Sequence, residues 1–167
     1  MDETPGTGRF TAPNDRELVV FLLGARINKL TAVRSWAPVI IGFRRMLAEL
    51  RADPDSGLLG FRILPRPPRL LTSVQYWESA EKLYSYASDP ARRHRPAWTD
   101  FYRRRGEAGE HVGIWHETYL VPARSYESIY VAMPESGLAR AFGSAPVGRG
   151  TDRAADRLRG VRRSGCG

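Results

Sequence analysis

Val74-Gln75-Tyr76-Trp77-Glu78-Ser79-Ala80-Glu81-Lys82-Leu83 reads as a strand that turns directly into a helix. Its first residues are β-branched and aromatic, types that fit a pleated, half-buried surface. Ser79 can cap the first free amides of a helix, and Glu81 falls where the positive helix terminus favours an anion. Asp89-Pro90 ends that helix, because proline disfavours helical geometry in the residue before it. Beyond it come a lone histidine, His94, and an aromatic helix from about Pro96 to Arg105 that carries Trp98, Phe101 and Tyr102.

Working outward, Arg69–Trp77 and Leu58–Leu64 form an antiparallel pair around Pro65-Arg66-Pro67-Pro68, a turn that no central strand could hold. Upstream, Asp53-Pro54-Asp55-Ser56-Gly57 is a stop-and-turn signal. It closes a helix over Ser35–Arg51, in which Trp36, Val39, Ile40, Phe43, Leu47 and Leu50 recur at three- and four-residue steps. Leu18–Leu23 is a continuous apolar run, the pattern of a strand covered on both faces. Downstream, Val112–Val121 is another strand, and Tyr126–Met133 is a fifth strand or an extended lid.

The order is βαββαβ. The expected fold class is therefore α+β, ferredoxin-like, with helices on one face of an antiparallel sheet. The strands are apolar on both faces, so the second face also needs cover. A second copy is the simplest cover, and two sheets would then close a dimeric α/β barrel around a cavity. Residues 1–14 read as a flexible arm, 15–134 as the barrel domain, and 135–167 as an irregular Arg/Gly-rich tail with too few apolar residues to bury.

The formal net charge is +8, but six arginines against two aspartates from Gly148 onward supply half of it. The body carries too weak an electrostatic footprint to point to nucleic acid. The single cysteine, Cys166, gives no disulfide framework and suits a reducing cytoplasm. No apolar run approaches the roughly 20 residues that span a bilayer. No phosphate loop, dinucleotide fingerprint or Ser/His/Asp grouping is present.

Tyr76-Trp77-Glu78-Ser79, Tyr86–Pro90 and His94 resemble the antibiotic-biosynthesis-monooxygenase type of dimeric α/β barrel. More closely, Gly24–Lys29, Ser56–Gly60, Gln75-Tyr76-Trp77, His94–Trp98, Gly113–Tyr119 and Tyr126–Tyr130 resemble monooxygenase-like proteins related to a polyketide oxygenase of the fumagillin pathway. The likeness covers roughly Glu17 to Met133. It implies a homodimeric oxidoreductase acting on an apolar or aromatic metabolite, in specialised metabolism. Some members of the superfamily oxidise such substrates with O₂ and no cofactor, and others bind haem. The resemblance therefore also admits a haem-dependent dehydratase or isomerase of the aldoxime-dehydratase type, or a protein that only binds a small ligand or haem.

On this reading His94 is the first candidate, as axial ligand of a haem iron or as general base. It has no partner at the spacing that zinc or non-haem iron requires. His116 and Glu117 are strand neighbours and point to opposite faces. Glu117, if buried, has Arg26 as a candidate partner. Arg26 and Asn28, at the barrel mouth, could hydrogen-bond a carbonyl or a haem propionate. Tyr76, Trp77, Trp98, Trp115, Tyr119 and Tyr130 are the candidate lining of a substrate cavity, and His111 is expected to be exposed.

Overall fold

The computed structural model describes residues 8–89 and 110–160. Its central sheet contains β2 (Leu18–Ile27), β3 (Leu58–Arg66), β4 (Leu70–Trp77) and β5 (Val112–Val121), all antiparallel in the order β3-β4-β2-β5. With α1 (Val33–Ala52) after β2 and α2 (Ala80–Ser88) after β4, this is the ferredoxin-like βαββαβ plan. β1 (Arg9–Thr11) precedes it, and β6 (Tyr130–Val131), α3 (Leu138–Phe142), β7 (Ala145–Pro146) and α4 (Ala154–Arg159) follow.

Local chemistry explains the joints. The Ser79 hydroxyl accepts from the Lys82 amide at 3.2 Å and caps α2. Glu81 is hydrogen-bonded by its own amide and by Ser79, which lowers its pKa. After α1, Asp53 accepts from the Asp55 amide, and Gly57 supplies the left-handed turn at φ 80°. β3 continues through Pro65 and Arg66, beyond its expected end. It is an edge strand, so the missing proline N–H leaves no ladder bond unmade.

One face of the sheet is covered by the helices. Phe43, Met46, Leu47 and Leu50 of α1, with Leu83 and Tyr86 of α2, pack on Val19, Leu23 and Trp77. Through this core runs a polar line along β4. Gln75 donates to Ser73 Oγ at 3.0 Å, and Trp77 Nε1 donates to Gln75 Oε1 at 3.0 Å. All three residues are at most 1 % exposed.

The chain ends depart from expectation. Residues 9–11 form the middle strand of a small sheet, β6-β1-β7, rather than belonging to a loose arm. Much of 135–160 is ordered and packed rather than irregular. Ala12, Tyr130 and Ala139 make a second small core with Phe10 and Leu138. Arg157 is 4 % exposed, donates from Nε to Glu127 at 2.7 Å, and donates from Nη1 to the carbonyls of Thr151 and Asp152. Asn14 Nδ2 donates to the carbonyls of Tyr126 and Arg157. The stretch is held by polar side chains satisfied on backbone carbonyls, so it needs few apolar residues.

Tyr126 donates its hydroxyl to the Arg16 carbonyl. Burial, then the nearby Asp15 charge, push its pKa up to about 12. A raised phenol pKa means the folded state holds the proton more tightly than the unfolded state does. Its contribution is complete below the unfolded value near 10 and is lost as pH rises through the folded value. Phenolate absorbance of wild type minus Tyr126→Phe should therefore show one tyrosine titrating near pH 12 in the folded protein. A group titrating near pH 10 would contradict this.

Candidate active site

The register of the sheet decides which candidates can meet. Residues directly opposite one another share a face. On the face away from α1 and α2, Tyr76, Val20 and Tyr119 lie in one row, Arg62, Val74, Leu22 and Glu117 in the next, and Leu64, Thr72, Gly24 and Trp115 in the third. Arg26 stands in the fourth row, between Leu70 and Gly113. Among the described residues this face is open over β4, β2 and β5, with an aliphatic floor of Val20, Leu22 and Val74 flanked by Tyr76, Trp115 and Tyr119.

Trp115 lies flat over the central strand. A Cβ built on Gly24 would sit 2.3 Å from Trp115 Nε1, so only glycine leaves room for the indole. Gly24→Ala should displace the ring and cost about 1–3 kcal/mol in urea unfolding. Adding Trp115→Ala should recover part of that loss. If the double variant is as unstable as the two single losses combined, the contact is not the cause.

Tyr119, 50 % exposed, donates its hydroxyl to Glu117 Oε2 at 2.7 Å, and this bond raises its pKa. Glu117 is thus an exposed carboxylate with a phenol partner. It is not a buried one paired with Arg26, although β2 and β5 are neighbours. Arg26 is two rows away along the same face. Across the sheet, the Arg62 side chain was not foreseen as part of the site. Its Nη2 donates to Ser136 Oγ at 3.0 Å and Tyr130 Oη at 3.4 Å, and its guanidinium lies 5.9 Å from the centre of the Tyr130 ring. An arginine alternating with apolar residues in an edge strand was the only signal available.

The other candidates are elsewhere. Trp77 is a core residue on the helix side, hydrogen-bonded to Gln75, and cannot line the open face. Tyr130 belongs to the small sheet, stacked on Phe10 at 5.1 Å, and meets the open face through its contact with Arg62. His116 is exposed on the helix side of β5, 5.6 Å from the Phe21 ring, opposite in direction to Glu117. Asn28 donates to the Glu110 carbonyl. His111 is half-buried rather than exposed, with Nδ1 3.1 Å from Ser35 Oγ. His94 and Trp98 lie outside the described residues. A groove of about 240 Å³ at the sheet end is lined by Glu17, Glu78, Glu81, Leu120 and Pro122 among others, and contains no predicted site residue. Among the described residues, no helix is long and apolar enough to cross a membrane. None of their His, Cys, Asp and Glu side chains are grouped in threes that could hold a metal ion.

Solved structures of similar shape include SnoaB from Streptomyces nogalater, described as a cofactor-independent oxygenase. It is 13 % identical, with TM-score 0.44 over 62 % of this chain and 91 % of its own. A dimeric ferredoxin-like protein from Bacteroides fragilis is 14 % identical, with TM-score 0.43 over 62 % and 95 %. The expectation of haem is corrected here: the oxygenase of similar shape is one that works without a cofactor. The described histidines agree with that correction. A haem needs an apolar slot around its axial ligand, whereas His116 is exposed and His111 is tied to Ser35. In sequence, Monooxygenase af470 of Aspergillus fumigatus is 33 % identical over 128 residues, 71 % of this chain and 44 % of the relative, so the chain spans less than half of that protein. The family described as Monooxygenase af470-like matches residues 18–138, from the start of β2 to the start of α3, and this chain belongs to it.

Proposed function

We propose that the protein is a monooxygenase-like oxidoreductase that holds an apolar, aromatic small molecule on the open face of its sheet. The observation that carries this reading is the register, which sets Tyr76, Trp115 and Tyr119 on one face around Val20, Leu22 and Val74. A flat apolar ligand needs that kind of surface, with hydroxyls at its margin to orient it. Membership of the family supports the reaction class. A second copy laid on the same face would exclude water and complete the cavity. A cytoplasmic setting, supported by the single cysteine, and a role in specialised metabolism belong to the same proposal.

An activated methylene carries the electrons for such a reaction. R₂CH₂ and O₂ give R₂C=O and H₂O, with one oxygen atom in each product. The protein must take the methylene proton, and His94 is the proposed general base. A second reading gives that role to His116, whose exposed ring beside Phe21 would place the chemistry on the helix side.

Oxygen uptake with 1,8-dihydroxyanthrone tests these readings. His94→Ala should lower kcat about 100-fold, and Trp115→Ala should mainly raise KM. A collapse in His116→Ala with Trp115→Ala unaffected would move the site to the helix side. Uptake by the wild type no faster than the spontaneous rate would sink the oxygenase reading.

A further inference from the structure

Arg62 is a cation built into the open face without an anion. Among the described residues no carboxylate pairs with it, and its hydrogen-bond partners are two neutral hydroxyls, those of Tyr130 and Ser136. Its Nε is buried with no partner. The surrounding chain is shaped to it. Gly137 adopts φ +58°, and a Cβ there would lie 2.4 Å from Arg62 Nη2. Tyr76 is the diagonal neighbour of Arg62, since Gly60 opposes Tyr76 and Arg62 opposes Val74. Among the described residues, neither the Tyr76 hydroxyl nor Arg62 Nη1 has a hydrogen-bond partner. Burial raises the Tyr76 pKa while Arg62 pulls it down, and the net direction is upward, so the hydroxyl keeps its proton and can donate.

The face is also polarised. Glu117 shares a row with Arg62 but lies three strand spacings away, roughly 14 Å, and is engaged by Tyr119. Between the two charges lie Val74 and Leu22. A half-buried guanidinium among apolar residues is costly unless an anion completes it.

We propose that Arg62 and Tyr76 form an anion subsite that takes the carboxylate of an aromatic acid, whose ring system lies across Val74 and Leu22 toward Trp115. The proposal rests on the open-face reading above and adds the class of ligand: an aromatic carboxylic acid rather than a neutral arene. Arg62 would meet the carboxylate with charge-assisted hydrogen bonds, and Tyr76 would add a neutral donor.

Calorimetric titration with 2-naphthoate and its neutral counterpart 2-naphthamide tests this. Wild type should bind naphthoate at least about 10-fold more tightly, the size of one good charge-assisted pair. Arg62→Gln should abolish the preference, Tyr76→Phe should reduce it, and Arg66→Gln, at an exposed position of the same face, should leave it intact. Arg62→Lys keeps the charge and should retain most of the preference even if the contacts with Tyr130 and Ser136 loosen. Equal binding of both probes, weakened by Trp115→Ala, would overturn the anion subsite while the open-face site stands. So would a preference that survives Arg62→Gln. No binding of either probe would overturn both.

Discussion

Replacing Trp77 by alanine should lower folding stability by about 4 kcal/mol, the largest single loss expected in the sheet. The indole is 1 % exposed, packs at 5.9 Å on the Tyr86 ring, and is the donor of the hydrogen bond that holds Gln75. Truncation therefore leaves a cavity between β4 and α2 and also deprives a fully buried amide oxygen of its donor. Trp77→Phe keeps most of the volume and loses the hydrogen bond, so it should cost less, about 2 kcal/mol. Urea unfolding followed by far-ultraviolet circular dichroism separates the two. Losses below about 1 kcal/mol for the alanine variant would show that the core closes over the gap.

Arg157→Met should cost about 3 kcal/mol, the scale for breaking a buried ion pair. The change strands Glu127 and removes the donor for two backbone carbonyls. Glu127 keeps some solvent contact, with its side chain 29 % exposed, which places the effect at the lower end of that scale. Glu127→Gln in the same chain should restore part of the loss, because it removes the stranded charge. The local consequence should exceed the global one: trypsin should cut between residues 123 and 160 far sooner in the variant. Cleavage at the wild-type rate would mean that α4 stays docked without its arginine.

The strands and helices were legible because each bears its own periodic signature. Leu18–Leu23 is apolar throughout and became the central strand β2. Val112–Val121 matched its observed limits, and Ser79 capped the helix that its position implied. The site was less legible, because facing depends on register, and register is a property of pairs. Alternation along β5 sets His116 against Glu117. Only pairing with β2 shows that Glu117, Trp115 and Tyr119 share the side of Tyr76, while His116 shares the side of Trp77. Hydropathy was blind to the C-terminal stretch, whose anchors are polar residues paired far along the sequence, Asn14 with the Arg157 carbonyl and Arg157 with Glu127. Arg62 was missed for the same reason: its partners lie 68 and 74 residues away.

The placement of α3 has a consequence for symmetry. Ala141 lies 3.6 Å from where a Gly60 Cβ would be, and Gly137 and Ser136 border the Arg62 guanidinium on one side, so the chain itself lines the β3 margin of its open face. Among the described residues that leaves the area over β4, β2 and β5 for a second copy. In a two-fold pair each contact occurs twice about the axis. In the proposed pair that axis would pass through the uncovered area, displaced from β3 toward β2, with Tyr76 and Tyr119 on either side of it. Each chain's own α3 would then bound one end of the cavity so formed.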